Sequence, residues 1–478
     1  MGSTSVNRRD VMKRAAAAGL LAVPAVGALS SCASGGGDEN KAEKGEKTKK
    51  NPLGVKEDAG LTVYIFNGGY GDKYAQFVTD MYAKKYPDAD PEQKPTEKIA
   101  TQVQPKIVRG KPTADVVNNS GADQMNPGKL VHNKQVADLR EVLDAPSWDD
   151  PKVTVRETLV PVVEQMGRFG GKECYQLNIA LTVYGNWYSK KLLEKGLEAE
   201  YPKTWDEMLA VCKKAKAKGI HGWSYPGGHP RYMFFSMYAM FAQRGGREVT
   251  TAMDYLEPDA WKHDAVKDVF EAWEELVAKK YVLTGFDGTE AHTEMQTAWT
   301  KEGKCLFVPD GSWVENEAKD TTPKDFEMTV GATPSLDSSD KMPFGTLYAP
   351  AGEPFIVPAK AKNVQGGLEW MRMMYSRQAA VSLFKETGSL PVVKGVLDGL
   401  KQLPPGAASA QAAIRAAGEN VVIPQFMDWY NELFREDFNN MIHKFMQGQI
   451  GARQAMDTMQ KASDRIKNDP DITKIKKA

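Results

Sequence analysis

From residue 61 onward the chain alternates two kinds of segment, and that alternation restricts it to few folds. Leu61-Thr-Val-Tyr-Ile-Phe66 is a β-branched and aromatic run that stops at Asn67-Gly-Gly69, the pattern of a strand followed by a turn. Tyr74 to Tyr86 then sets Phe77, Val78, Met81 and Tyr82 at helical spacing and ends at Pro87, as a helix does before proline. Ile99 to Val108 predicts another helix, and Ala114-Asp-Val-Val117 a short strand ending at Asn118-Asn-Ser-Gly121. Such alternation favours a parallel α/β sheet covered by helices. One strand should fall near residues 90–96. Asp90-Pro-Glu-Gln-Lys-Pro95 is poor material for it, because proline has no N–H for the ladder.

Past residue 205 helices dominate. Trp205–Lys218, Tyr232–Gln243, Ala265–Lys280 and Gly367–Tyr375 carry helical apolar spacing, and 423–466 predicts two more. Short apolar strands separate them at Lys304–Val308, Glu327–Val330 and Phe355–Val357. A length of 478 residues allows several domains or one large two-lobed unit. Lys+Arg and Asp+Glu both number 62, without the basic excess or stripe of a nucleic-acid binder. There is no Gly-x-Ser-x-Gly elbow, His-Glu-x-x-His or Walker loop, and the six histidines are scattered without metal spacing. No catalytic residue, metal or cofactor is therefore expected. A secreted glycoside hydrolase needs only two carboxylates about 5–10 Å apart, so spacing in the sequence does not decide against one.

The first 31 residues read as an export leader. Arg8 and Arg9 precede an almost purely Ala, Gly, Leu and Val run from Ala15 to Leu29, too short to cross about 30 Å of hydrocarbon. The paired arginines resemble the twin-arginine signal, with Val11 and Met12 where that motif has an aromatic residue and Leu. Leu29-Ser-Ser-Cys32 resembles the bacterial lipobox, which implies a lipid on Cys32 at the outer face of the cell membrane. Residues 32–57 are Gly, Lys, Glu and Thr with little apolar content and predict a disordered tether. Cys174, Cys212 and Cys305 lack Cys-x-x-Cys spacing. Cys212, inside a helical pattern, is expected as a buried free thiol, and an exported chain could bridge Cys174 to Cys305.

Several short segments, in order, resemble the family-one extracellular solute-binding proteins of ABC importers, whose best-known member is maltose-binding protein. They are Ala114-Asp-Val-Val117, Val136-Ala-Asp-Leu139, Trp187-Tyr-Ser-Lys190 and Pro202-Lys-Thr-Trp-Asp-Glu207. Pro309-Asp-Gly-Ser-Trp313, Pro358-Ala-Lys-Ala-Lys-Asn363 and Gln447-Gly-Gln449 with Ala455 complete the set. The leader and the Phe66-Asn-Gly-Gly-Tyr70 loop are similar to the N-acetylglucosamine and diacetylchitobiose binders of Gram-positive bacteria. The resemblance implies a class II periplasmic-binding-protein-like α/β fold. Its two lobes would be 58–178 with 353–392, and 180–351 with 394–470. Three hinge crossings fall near 178–182, 349–353 and 391–396. It also implies a monomer that passes its sugar to separate ABC permease subunits.

A pyranose presents C–H faces and a ring of hydroxyls, so a cleft for one pairs flat aromatic faces with fixed donors and acceptors on loops. Trp313, after Asp310-Gly-Ser312, and Trp429, in Phe426-Met-Asp-Trp-Tyr430, match the family's sugar-stacking tryptophans. Either could instead plug a sheet end or pack helices. Tyr70 sits on the first glycine loop. Asn119 and Asp123 follow a strand, at the edge where α/β sheets bind ligands, though turns favour the same residues. Arg231 and Tyr232 open a helix, and Tyr348 and Glu353 straddle an expected hinge. Trp187 reads as hinge or core. Trp205, Trp223, Trp261, Trp273, Trp299 and Trp370 read as core.

Overall fold

The computed structural model describes residues 44–477, apart from 69, 122, 289, 401, 431 and 432. The expected leader and Cys32 lie outside the described residues. In chain order the strands are β1 (Thr62–Phe66), β2 (Glu92–Thr96), β3 (Val116–Asn118), β4 (Leu177–Leu181), β5 (Gly185–Ser189), β6 (His221–Ser224) and β7 (Val282–Leu283). They continue as β8 (Cys305–Asp310), β9 (Met328–Gly331), β10 (Leu347–Tyr348), β11 (Ala351–Ile356), β12 (Leu390–Pro391) and β13 (Val421–Val422). Two sheets result. The first has the order β12-β4-β11-β3-β1-β2, the second β7-β6-β8-β5-β9, and β10 pairs with β13 alone.

The first sheet is parallel through β2, β1 and β3, and antiparallel where β11 meets β3 and β4. Its outer strand β2 resolves the conflict seen in the sequence. Pro95 pairs with Ile65 on a strand that has a partner on one side only, so the missing N–H breaks no second ladder. Helix Lys73–Lys85 covers this sheet. Helix Val364–Met374 packs beside it, with the Trp370 indole N–H donating to Thr79 Oγ1 at 3.1 Å. The second sheet is enclosed by longer helices. Trp205–Ala217 begins with a capping box in which Thr204 accepts from the Glu207 N–H and the Glu207 side chain caps Thr204 in return. Helix Tyr232–Gly245 is buried along nearly all its length, and Trp223 and Trp273 meet edge-on with ring centres 4.9 Å apart. Trp187, Trp223, Trp261, Trp273, Trp299 and Trp370 are all fully buried.

The chain passes between the two sheets at three places: from β4 to β5, from β10 to β11, and beyond β12 to helix Pro405–Ala417, which packs on β9. The first two connections run side by side. The Thr182 N–H donates to the Pro350 carbonyl and the Tyr184 N–H to the Tyr348 carbonyl, both at 3.0 Å. Leu390 of β12 pairs with Leu181 of β4 beside them.

Two expectations change. The tether does not extend to residue 57: Leu53 and Val55 are each 1% exposed in the core of the first sheet, and Asn51 bonds both backbone groups of Val55. Those two side chains are the apolar content that a purely polar reading of 32–57 passed over. Cys174 and Cys305 are not bridged; with Cys212 they are buried free thiols. Cys174 Sγ instead donates to the Gln176 carbonyl at 3.3 Å, beside the first sheet, while Cys305 opens β8 in the second. No helix among the described residues is long and apolar enough to cross a membrane.

Candidate functional site

A cleft of about 620 Å³ opens where the chain crosses between the sheets. One wall is aromatic. Tyr184, just past β4, stacks on Phe235 at 3.9 Å and 23°, meets Trp313 edge-on at 5.5 Å, and lies 4.5 Å from Tyr348. Tyr232 adjoins Phe235 at 4.9 Å. Each ring has a definite support. Trp313 stands on the turn after β8, held because Ser312 Oγ accepts from the Val183 N–H at 3.2 Å. Phe235 and Tyr232 lie in the first turn of helix Tyr232–Gly245. Trp313 and Tyr184 stay half-buried, so a ligand can still reach their faces.

The charged groups are mainly carboxylates. Glu317, Glu353 and Asp428 bring three carboxylates to the cleft, against Arg231 as the one lysine or arginine among the described lining residues. Burial pushes the Glu353 carboxyl up, partly offset by hydrogen bonds from Ser120 and Asn118, whose Nδ2 donates at 3.2 Å. Glu353 also holds φ at +56°, a left-handed backbone that is costly for a residue with a Cβ and is often kept at functional sites. Burial alone pushes Asp428 up to about 7. Glu317 reaches into the open cleft, yet the protein crowded around its carboxyl raises it too, while Gln296 Nε2 donates to it at 2.9 Å. Beneath it Asp310 is fully buried and is raised by burial and by the nearby Glu317. Among the described residues no group of three or more His, Cys, Asp or Glu is arranged to hold a metal ion.

Of the residues singled out from the sequence, Tyr70, Asn119, Arg231, Tyr232, Trp313, Tyr348 and Glu353 all line this cleft. Asn119 does so with its side chain already committed: it donates to the Met125 carbonyl at 3.0 Å and accepts from the Met125 N–H at 2.8 Å, pinning the loop between them. Asp123 and Trp429 are not in the lining. Asp123 anchors the start of helix Ile99–Val108, accepting from the Thr101 N–H at 2.9 Å and, by its carbonyl, from Ala100 at 2.7 Å. Trp429 is 7% exposed and packs edge-on against Tyr255 at 5.3 Å. It ends a short helix, Phe426–Trp429, rather than opening a long one. That helix delivers its neighbours Met427 and Asp428 to the cleft instead.

The family described as bacterial extracellular solute-binding protein matches residues 67–381. The chain belongs to this family. This solute-binding protein is 33% identical to the "Diacetylchitobiose binding protein NgcE" of Streptomyces coelicolor, over 99% of its own length and 98% of that protein's. Its fold is similar to that of a raffinose complex of "SBP RafE", with TM-score 0.64 and 16% identity over 84% of this chain and 99% of that one. A "Chitin oligosaccharide binding protein" matches with TM-score 0.62 and 18% identity over 82% and 94% of the two chains. The fold is accordingly the two-lobed, maltose-binding-protein-like one, and the protein is a binder rather than an enzyme. Sequence reasoning overlooked much of the lining, including Tyr184, Phe235, Glu317, Asp428, Gln176 and Asn178. Phe235 carries no distinguishing signal within an apolar helix. Tyr184 does: an aromatic two residues past an expected crossing strand, beside a glycine.

Proposed function

We propose that this protein is the receptor of a bacterial ABC sugar importer and that its ligand is N-acetylglucosamine, N,N'-diacetylchitobiose or both. The observation that carries the reading is the pairing, in one cleft, of the Tyr184, Phe235 and Trp313 rings with three carboxylates and neutral polar side chains. Aromatic faces cover the C–H faces of a pyranose, and acceptors take its hydroxyl protons. Three carboxylates against one arginine disfavour an anionic solute. The relative named for diacetylchitobiose, matched over nearly the whole of both chains, supports the amino-sugar choice.

The three connections between the sheets act as hinges in this reading, with lobes 58–178 plus 353–392 and 180–351 plus 394–470. The sugar binds in the open cleft, the lobes close over it, and separate permease subunits take it up. Tyr70, Asn119 and Glu353 serve from the first lobe. Trp313, Tyr232 and Arg231 serve from the second, with Tyr348 beside the hinge. Asp123 and Trp429 act from behind the cleft, by holding the loop and the short helix. No bond is broken. Residues 1–31 direct export, and Cys32 carries the lipid that holds the monomer at the outer face of the membrane. Palmitate labelling that survives Cys32→Ala would remove the anchor from this account.

Calorimetric titration of the mature protein with N-acetylglucosamine, diacetylchitobiose, maltose, amino acids and polyamines tests the ligand. Heat with the amino sugars at low ligand concentration is expected. Heat with polyamines alone would transfer the three carboxylates to a cationic ligand and end the saccharide reading.

A further inference from the structure

Of the three carboxylates in the cleft, Glu317 is placed differently from the other two. Glu353 and Asp428 are half-buried, whereas Glu317 is exposed to the open cleft. The helix Val314–Glu317 is only one turn long, and Trp313 stands immediately before it. The Glu317 N–H donates to the Trp313 carbonyl at 3.1 Å. Residues four apart on a helical turn are neighbours on one face, and both of these line the cleft. One turn of backbone thus offers an indole ring and a carboxylate together.

The carboxylate is held from behind. Gln296, 2% exposed, donates from Nε2 to Glu317 Oε2 at 2.9 Å and to Asp310 Oδ2 at 3.2 Å. Gln296 belongs to helix Ala291–Thr300, so the support comes from outside the turn it steadies. Among the described residues Glu317 makes no other side-chain hydrogen bond and no ion pair. The protein engages Oε2 and leaves Oε1 for a ligand. An ionised carboxylate can only accept. Hydroxyls leave the edge of a pyranose close to its mean plane, so a ring lying flat on Trp313 directs them sideways, towards a neighbour one turn away.

We infer that Glu317 is a ligand-contact residue that orients the sugar ring lying on Trp313, its Oε1 accepting from a hydroxyl at that ring's edge. Stacking by itself leaves a ring free to turn about its own normal. A directional acceptor fixed at the edge removes that freedom, and Gln296 keeps the acceptor in place before the sugar arrives. The inference rests on the saccharide reading above and adds the residue that sets the orientation of the sugar within it.

The test is a double-mutant cycle read as calorimetric Kd values for diacetylchitobiose. Glu317→Gln keeps the size of the side chain. Its one amide oxygen accepts from Gln296, so its amino group faces the cleft and a donor replaces the acceptor. Binding should weaken about tenfold, the effect of losing a hydrogen bond to a charged group, with the melting temperature of the unliganded protein unchanged. Trp313→Ala supplies the second arm. If both residues hold one ring, Trp313→Ala combined with Glu317→Gln weakens binding by less than the product of the two single factors. If Glu317→Gln fails to fold, Glu317→Ala takes its place in each comparison. An unchanged Kd in the folded Glu317 variant, or single factors that simply multiply, overturns the inference and leaves the importer reading standing. A wild type that binds neither diacetylchitobiose nor N-acetylglucosamine overturns both.

Discussion

Trp313 owes its position to a chain of small constraints. The Trp187 indole donates to the Asp310 carbonyl at 3.0 Å, the Gly311 N–H to Asp310 Oδ1 at 2.8 Å, and Ser312 ties the turn to Val183. The ring is therefore held ready rather than recruited, and little ordering cost remains when a ligand arrives. Removing it loses the burial of one aromatic face. Trp313→Ala should weaken saccharide binding by about 2 kcal/mol, roughly thirtyfold in Kd, as titration by tryptophan fluorescence or calorimetry would read; a change below threefold contradicts the stacking role. Asp428 adds a pH dependence. Its carboxyl, pushed up to about 7 by burial, is neutral below that pH and ionised above it. An ionised carboxylate accepts a stronger hydrogen bond from a hydroxyl. Binding should tighten between pH 6 and pH 8, and Asp428→Asn should flatten that slope. Calorimetry across the interval gives the answer, and equal slopes in both proteins would relieve Asp428 of the role.

The element that brings Asp428 to the cleft is the short helix Phe426–Trp429, too brief to hold itself. Asp254, 8% exposed, accepts from the Phe426 N–H at 2.9 Å and so fixes its start. Burial pushes the Asp254 carboxyl up to about 8 despite that bond. The folded state then holds this proton more tightly than the unfolded chain does. The stability it contributes is complete below about pH 4, the ordinary carboxyl value, and is lost as pH rises towards about 8. Asp254→Asn keeps an acceptor and removes the titration. Its melting temperature should fall less between pH 5 and pH 8 than that of the wild type; parallel melting curves would contradict the assignment.

Across the whole molecule, the first-sheet half touches the second at the rim of the cleft. Helix Pro127–His132 meets helix Phe426–Trp429, and a Cβ placed on Gly128 would lie 3.0 Å from the Trp429 carbonyl oxygen. Gly128 is outside the cleft lining, so a larger side chain there acts on closure and not on ligand contacts. Gly128→Val should lower the closed population and weaken binding roughly tenfold, with the melting temperature of the unliganded protein little changed. X-ray scattering should show ligand-induced compaction in the wild type and less in the variant. A Gly128→Val protein that binds as well as the wild type would mean that this contact plays no part in closing.

What the sequence determined by itself is local chemistry and order. The Leu61–Phe66 strand, the Trp205–Lys218 helix and the buried tryptophans at helical spacing were legible because each depends on residues a few positions apart. Asn119 was legible as a cleft candidate because loops after strands gather at one sheet edge, Tyr70, Tyr232 and Trp313 through the family resemblance, and Glu353 as a neighbour of an expected hinge. Tertiary structure alone decided which side chains face the cleft. Trp429 and Asp428 are neighbours, and only helix orientation turned the carboxylate inward and the indole outward. The pairing of the β2 edge with β1 made an unpromising Pro-rich segment a strand. Leu53 and Val55 found a core built mostly from segments distant in sequence. Packing between distant segments sets these outcomes, and the free energy of burial has no local signature.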